Sequence, residues 1–332
     1  MKPLLVSTAF PSLRNDTTIA IAQIEATAIM PATDGLPADL VLDMTMTYVR
    51  FLVDDQRNTA AMQAIEYLVY ADDAATLPPL YAAWLWLARM SLIINNKQHA
   101  SALSSAENAL TQLAGIPGKK NEDFLAILAA ILYNLADIHH NTAENSRAAK
   151  ELTKAQQLYQ RLNHRNPERF AAMLIYAVEA STDIIKSRNA QLNVLEHYQH
   201  ETLLYRQQLE QTADQEQARQ ALTALVDSLY NEGNIMLQMG NTRNAVKYFS
   251  KAIRYQKKLN LPLSEKDLSL SIGLAKALMR LVNRRAAAEQ LLNSLLPLAR
   301  RLEAHNHIIE IENLLLGKNR NNNIMNLLKG IF

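Results

Sequence analysis

A tyrosine followed by an asparagine occurs twice among polar residues at helical spacing, as Tyr133-Asn134 and Tyr230-Asn231. A carboxamide offers both a donor and an acceptor to an extended peptide backbone, and tyrosine adds contact area at low entropic cost. We predict that these residues, and polar residues that share their helix face, bind a peptide. A solvated helix face, with each tyrosine packed on a neighbour, is the alternative interpretation. The predicted set is Tyr133, Asn134, Asp137, His140, Asn141, Tyr230, Asn231, Asn234 and Gln238.

The histidines and carboxylates give little indication of metal or catalytic chemistry. His197 and His200 lie three residues apart, a spacing that can share a metal ion, but Glu196 and Glu201 lie close enough for ordinary surface pairing. The sequence contains no His-Glu-x-x-His, no Gly-x-Ser-x-Gly, no glycine-rich phosphate loop and no cysteine. We therefore expect no catalytic residue, no metal and no cofactor. An all-helical enzyme remains only as a third class of function.

Charge and composition argue against two classes of partner. With 34 basic and 32 acidic residues among 332, the net charge of +2 is too small for nucleic-acid binding by bulk electrostatics. The most apolar stretches, residues 82–94 and 125–133, are too short or too interrupted by charge to span a bilayer. No secretory signal is recognisable near Met1. We therefore expect a cytoplasmic protein with no membrane association and no direct nucleic-acid binding.

Clusters of glycine, proline and asparagine divide the chain into segments of helical length. Within the segments apolar residues recur at intervals of three and four, which predicts roughly a dozen helices and no strand. A helical hairpin is expected between residues 170 and 209. Asn121 and Ser264 occupy N-cap positions, and Asp267 follows Ser264 at capping-box spacing. Small residues twelve positions apart predict where antiparallel helices approach closely: Ala88/Ala100, Ala136/Ala148, Gly233/Ala245 and Ala275/Ala287.

The residues on either side of Gly240-Asn241 alternate between large and small side chains. In their order they resemble the tetratricopeptide repeat (TPR), with Leu229, Gly233, Met236, Ala245, Phe249 and Ala252. A second copy consists of Leu132, Leu135, Ala136, Ala148, Leu152 and Ala155, and Trp84 opens a third. The resemblance implies an all-α fold, a right-handed α-solenoid of antiparallel helix hairpins whose first helices line a concave groove.

The same resemblance adds two cations to the predicted binding set. Lys276 and Arg280 occupy places where carboxylate-binding members of the family carry a clamp for acidic peptide tails. Only this hairpin carries both cations. A neutral or mixed peptide therefore fits the predicted groove better than an acidic tail does.

Residues 286–316 carry a further resemblance. Their paired leucines and the segment Ala299-Arg300-Arg301 are similar to the helical sensor arrays of maltose-activator-type bacterial regulators. The repeat units also exceed the usual TPR length of roughly 34 residues. The resemblance implies a regulatory role, although the sequence carries neither the phosphate loop nor the C-terminal recognition helix of those regulators.

We divide the chain into three parts. Residues 1–36 form an N-terminal segment to which no structure is assigned, and residues 37–316 form the TPR-like array. Residues 317–332 form a polar linker and a short C-terminal amphipathic helix. This helix either caps the stack, as every solenoid requires, or docks into a groove of its own chain, another copy or a partner.

These observations predict a non-enzymatic adaptor or regulatory scaffold that binds a protein or peptide partner in its concave groove. A homo-oligomer is compatible with this prediction. The alternative function is a ligand-responsive sensor, in which a small molecule or short signalling peptide shifts the solenoid between two curvatures.

Overall fold

The computed structural model describes residues 4–13, 18–27, 29, 32–70, 77–95, 98–117, 121–142 and 144–331. All regular secondary structure in these ranges is helical, as predicted. A 3-10 turn at Val282–Arg284 precedes the thirteenth helix. None of the described helices is long and apolar enough to cross a membrane. The α-helices in these ranges, α1 to α14 in chain order, are Leu4–Thr8, Thr18–Thr27, Ala38–Asp54, Asn58–Tyr70, Pro79–Asn95, His99–Ala114, Glu122–Asn141, Asn145–Arg165, Pro167–Gln211, Gln215–Gln238, Thr242–Lys258, Glu265–Met279, Arg285–Arg301 and His305–Ile331.

The helices form two compact units, in each of which consecutive helices pack against one another. Unit 1 comprises residues 1–138, 148–181 and 319–332, and in it α3, α4, α5 and α6 pack in sequence. Unit 2 comprises residues 139–147 and 182–318, and in it α10, α11, α12 and α13 do the same. Each of these eight helices thus packs against its neighbours in the sequence.

Phe249 of α11 fills the space that two glycines leave in unit 2. A Cβ atom at Gly233 of α10 would lie 2.9 Å from the Phe249 ring, and one at Gly273 of α12 would lie 2.5 Å from it. These distances are shorter than packed carbon atoms adopt, so only glycine lets the ring lie against both helix backbones. The predicted close approach of α10 and α11 at Gly233 is therefore confirmed. Gly273 extends the contact to a third helix, which the sequence pattern does not predict.

Of the four predicted small-residue pairs, two have both members buried and two have an exposed member. In α6, Ala100 is exposed and Ala102 is buried instead. In α13, Ala287 is exposed and Ala288 is buried instead. A shift of one residue turns a side chain by about 100° around the helix axis, so a small error in phase moves the contact. Both members are buried in Ala136/Ala148 and Gly233/Ala245.

The two predicted N-caps are confirmed. Asn121 Oδ1 accepts a hydrogen bond from the Phe124 backbone N–H at 2.8 Å, one residue before α7 begins. The Ser264 backbone N–H donates to Asp267 Oδ2 at 2.9 Å, which is the return bond of a capping box at the start of α12. Both caps satisfy amide groups that a helix leaves without an internal partner.

The segment predicted as a hairpin between residues 170 and 209 is one helix of 45 residues, α9. That prediction is wrong. Pro167 occupies the first helical position, where proline is tolerated, and neither glycine nor proline occurs between it and Gln211. Without a residue that favours a turn, the apolar pattern of two short helices and that of one long helix cannot be told apart.

The polar linker predicted at residues 317–323 is also helical, because α14 runs unbroken from His305 to Ile331. Each glycine or asparagine in a helix interior lowers the stability of the helix by only about 0.5–1 kcal/mol relative to alanine. No proline interrupts the segment. Burial on both sides offsets this cost, since Ile311 is buried in unit 2 and Ile324 and Leu328 in unit 1. Asn323 Nδ2 donates to Glu107 Oε1 of α6 at 2.8 Å. The amphipathic end of α14 is therefore docked within its own chain.

The N-terminal segment contains α1 and α2. Residues 1–3, 14–17, 28 and 30–31 of it lie outside the described residues. The predicted boundary at residue 37 coincides with the start of α3 at Ala38.

Candidate functional site

Three residues of the predicted set lie along one face of helix α10, and Asp227 lies on the same face. Asp227, Asn231, Asn234 and Gln238 follow one another at intervals of four, three and four residues, which places them on one side of the helix. We call these four residues the α10 polar face. The opposite side is buried against the rest of unit 2 through Leu225, Leu229, Gly233 and Met236.

The two ends of the α10 polar face are tied to other helices, whereas its middle is not. Lys266 Nζ of α12 lies 2.7 Å from Asp227 Oδ1, and Gln191 Nε2 of α9 donates to Gln238 Oε1 at 3.2 Å. Asn231 and Asn234 are half-buried and make no side-chain hydrogen bond within the part of the chain that the structure describes. Two adjacent carboxamides thus retain their full donor and acceptor capacity.

The predicted clamp cations are both paired. Lys276 Nζ lies 2.5 Å from Glu310 Oε1 of α14. Arg280 Nη2 lies 2.9 Å from Glu144 Oε1, and its Nη1 donates to the Leu237 carbonyl at 2.6 Å. These acidic partners neutralise the charge that an acidic peptide tail would need. A carboxylate clamp in this hairpin is therefore not supported by the geometry.

A buried polar cluster lies beneath the α10 polar face. Glu232 is 1% exposed, and Thr202 Oγ1 of α9 donates to its Oε1 at 2.5 Å. Thr202 Oγ1 also lies 3.0 Å from Ser228 Oγ, and Ser228 donates to the Tyr198 carbonyl at 2.8 Å. Burial raises the pKa of Glu232 above its ordinary value, against the opposing hydrogen bonds from Thr202 and Tyr248.

Tyr248 of α11 shares this environment. Burial first, and the neighbouring Glu232 second, raise the pKa of its phenol. The predicted set does not include Glu232, although a signal was present in the sequence. Residue 232 falls on the buried side of α10, next to Gly233, where a glutamate is unusual.

The two tyrosines of the predicted set are both half-buried. The ring centroid of Tyr230 lies 5.9 Å from that of Phe249. Tyr133 is half-buried in unit 1. Burial chiefly, with a contribution from Tyr133, raises the pKa of Tyr159. For the tyrosines, therefore, the structure fits the alternative interpretation of a packed helix face.

Asn134 is in the interior and not on a solvated face. It is 0% exposed, and neither its amide nitrogen nor its oxygen has a hydrogen-bond partner among the described atoms. The physical reason is the composition of α7, which is apolar on all sides from Phe124 to Leu132 and leaves no solvated face there. The prediction that Asn134 contacts a ligand is corrected accordingly.

The remaining predicted residues of α7 already have partners within the chain. Asp137 is half-buried in unit 1 and interacts within the chain. In unit 2, His140 Nδ1 lies 2.7 Å from Asn145 Oδ1, and Asn141 is exposed and also interacts within the chain. The predicted set is therefore divided, with Tyr133, Asn134 and Asp137 in unit 1 and the other members in unit 2.

The paired histidines of α9 have ordinary surroundings. His197 Nε2 lies 3.5 Å from Glu201 Oε1, the surface pairing considered from the sequence. No group of three or more histidines and carboxylates in the described residues is placed to hold a metal ion.

Comparison with known proteins yields distant structural likeness and no sequence match. The chain matches no protein-family model, and no curated protein sequence matches it. Among solved structures it is similar to the crystal structure of NprR in complex with its cognate peptide NprX. The sequence identity is 15%, the match covers 88% of this chain and 75% of that chain, and the TM-score is 0.34. A likeness of that degree is too distant to assign a function.

Proposed function

We propose that this chain is a non-enzymatic, TPR-like α-solenoid that binds a protein or peptide partner, with the α10 polar face as a principal recognition element. Its role is that of an adaptor or a regulatory scaffold. Consecutive packing of helix hairpins, with glycine or alanine at buried contacts, supports the solenoid part of the proposal. The pair Asn231 and Asn234 supports the binding part.

The binding proposal rests on Asn231 and Asn234, whose side chains make no hydrogen bond within the described residues. Asp227 and Gln238, one turn away on either side, are engaged by Lys266 and Gln191, so the edges of the face are fixed. Asn231 and Asn234 are half-buried on a rigid helix, which lowers the entropy lost on binding. Each hydrogen bond to a peptide backbone would contribute about 0.5–1.5 kcal/mol.

The charges around the face favour a neutral or mixed peptide. Lys266 and Lys276 both end on carboxylates, and Arg280 ends on Glu144. A strongly acidic ligand would have to displace those carboxylates. A peptide recognised mainly through its backbone would leave the pairs intact.

The experiment that tests this proposal is affinity capture from the native source followed by mass spectrometry. The wild-type chain is compared with a variant carrying Asn231→Ala and Asn234→Ala. We expect the double variant to lose the captured partner while its circular dichroism spectrum stays unchanged.

A matched control comes from α9, where Asn189 and Asn193 are exposed asparagines in unit 2. Asn189→Ala with Asn193→Ala removes two helical carboxamides away from the α10 polar face. This control should capture the partner as the wild type does. Capture that survives in both double variants would rule out the α10 polar face as the binding element.

A ligand-responsive sensor is the second candidate function, and one observation favours it. Polar contacts link alternate helices in unit 2. Asp227 with Lys266 joins α10 to α12, and Lys276 with Glu310 joins α12 to α14. Ser269 Oγ lies 2.8 Å from His307 Nε2 and adds a further α12–α14 link. A small ligand that replaced these links would change the spacing of the helices.

The two functions predict different results in a thermal-shift screen of metabolites and short peptides. A sensor gives ligand-dependent stabilisation with no protein captured from extract. An adaptor gives a captured protein and no response to metabolites.

A further inference from the structure

A short segment of unit 1 is held by side chains in the manner of a bound peptide. Residues 6–12 comprise the end of α1 and the irregular chain after it; we call them the strap. The Trp84 indole Nε1–H donates to the Val6 carbonyl at 2.8 Å. Arg169 donates from Nε to the Thr8 carbonyl at 3.0 Å and from Nη2 to the Phe10 carbonyl at 2.8 Å. Alternate carbonyls of the strap are thus bound by donors from two other helices, α5 and α9.

The strap also carries an aromatic anchor. Phe10 is 7% exposed and meets the Trp84 ring edge-on, with the centroids 4.9 Å apart. The Arg50 guanidinium lies 5.1 Å from the Phe10 ring centroid, within range of a cation–π contact. Past Pro11, the Ser12 backbone N–H donates to Asp123 Oδ2 of α7 at 2.9 Å. Anchor and backbone contacts together define both the register and the direction of the strap.

The groups that hold the strap are positioned by contacts of their own. Arg169 Nη1 lies 3.0 Å from Glu122 Oε1 and 3.2 Å from Asp123 Oδ1, and its guanidinium lies 4.9 Å from the Phe170 ring centroid. Trp84 is fully buried in α5. These donors belong to α5 and α9, and the ion pairs that position Arg169 do not involve the strap.

We propose that Trp84, Arg169, Asp123 and Arg50 form a peptide-binding site in unit 1, which the strap fills in cis. The ligand it fits is a peptide that presents backbone carbonyls at every second position and carries a phenylalanine followed by proline, as in Val-Ser-Thr-Ala-Phe-Pro-Ser. A partner segment with this chemistry competes with the strap for the same donors. The proposal does not depend on Asn231 and Asn234, which belong to unit 2.

Competition in cis sets the apparent affinity for a peptide added in trans. A tethered segment acts at an effective concentration in the millimolar range, so the free site is a small fraction of the total. Apparent affinity for the competing peptide falls in proportion to that fraction. Weakening the strap therefore strengthens binding in trans.

The test uses the full chain and a fluorescein-labelled peptide of residues 4–13, with fluorescence anisotropy as the readout. The Phe10→Ala variant should bind the peptide at least about tenfold more tightly than the wild type, because its own strap has lost the anchor. The same peptide with alanine in place of phenylalanine should bind neither protein. Adding Arg169→Gln to Phe10→Ala should weaken peptide binding about tenfold or more, since two carbonyl contacts are lost.

The overturning result is a Phe10→Ala variant with wild-type far-ultraviolet circular dichroism that binds the peptide no better than the wild type. Hydrogen exchange of the unmodified chain decides the matter if that variant does not fold. Strap amides should exchange roughly a hundredfold faster than those of α5 around Trp84, through local opening. Equal rates would show that the strap leaves only on global unfolding, and the site would then be structural.

Discussion

The same dipeptide, Tyr-Asn, occurs in α7 and in α10 and has a different environment in each. Asn134 of α7 is 0% exposed and its amide has no partner among the described atoms, whereas Asn231 of α10 is half-buried at the surface. The residues before each pair account for the difference. In α7 they are apolar on every side of the helix, and in α10 they alternate between an apolar and a polar side. The environment of the same dipeptide thus depends on the amphipathicity of the helix that carries it.

A second contrast concerns binding capacity. The carboxamides of Asn231 and Asn234 lack hydrogen-bond partners in the described chain, while the Trp84 indole N–H and the Nε and Nη2 groups of Arg169 donate to the strap. Under the proposed function, the unused donors of Asn231 and Asn234 are open to a partner. Under the second proposal, a partner must compete with the strap.

The largest effect is expected at the contact that orients α10. Phe249→Ala removes the ring between Gly233 and Gly273 and should lower the free energy of unfolding by about 3–5 kcal/mol. Phe249→Leu keeps most of the volume and should cost about 1–1.5 kcal/mol. Urea denaturation measures both. Similar small losses in the two variants would show that the α10–α11 contact does not depend on the ring.

The contrast between the two asparagines predicts opposite results for one substitution. Asn134→Leu removes a buried amide that lacks partners and should raise the free energy of unfolding by about 1–3 kcal/mol. Asn231→Leu, on a surface where water is available, should change it by no more than about 0.5 kcal/mol. Thermal and urea denaturation check both variants. A loss of stability in Asn134→Leu would mean that its amide is satisfied in solution.

The buried Glu232 beneath the α10 polar face makes stability depend on pH. Because its pKa is raised in the folded state, the folded chain retains the proton that the unfolded chain releases above its ordinary pKa of about 4.3. The stabilising contribution is therefore complete below that pH and is lost as the pH rises through the folded-state pKa.

The variant Glu232→Gln should accordingly be more stable than the wild type at neutral pH, and the difference should vanish as the pH falls below about 4. Urea denaturation at a series of pH values measures the trend. Exposed Glu210 gives the control. The free energy of unfolding of Glu210→Gln should not rise above that of the wild type with increasing pH. If Glu232→Gln instead lowered the free energy of unfolding at neutral pH, the ionised carboxylate would be stabilising.

The smallest effect on stability is expected at the proposed binding residues. Asn231→Ala and Asn234→Ala break no hydrogen bond in the described chain, so each should change the free energy of unfolding by less than about 0.5 kcal/mol. Equilibrium denaturation of the variants used for affinity capture tests this. A loss above about 1 kcal/mol at either site would indicate a structural role and weaken the proposed one.

Local sequence patterns predicted the start of two helices but not the extent of α9 or the phase of α6 and α13. The caps at Asn121 and Ser264 were predictable because a cap bonds to an amide within three residues. The unbroken run of α9 was not, because a continuous apolar pattern is compatible with one helix or two. The exposed positions of Ala100 and Ala287 were mispredicted because the phase of a helix is set by its partners.

The candidate site shows the same division. Asn231, Asn234 and Gln238 follow from periodicity alone, since residues on one helix face recur at fixed intervals. The pairing of Lys276 with Glu310 and of Arg280 with Glu144 could not be predicted, because it joins elements distant in the sequence. These pairs decide that the hairpin does not present a free clamp for a carboxylate.

The sequence by itself determined that this chain is helical, where two of its helices are capped and that α10 and α11 approach closely at Gly233, because each of these depends on residues within one or two turns. Only the tertiary structure decided that Asn134 is buried, that Glu232 holds its proton more tightly than usual and that the strap is bound. Trp84 reaches a carbonyl 78 residues away, and Arg169 reaches carbonyls 159 and 161 residues away. Contacts over such separations depend on how helices pack, and no local pattern encodes that packing.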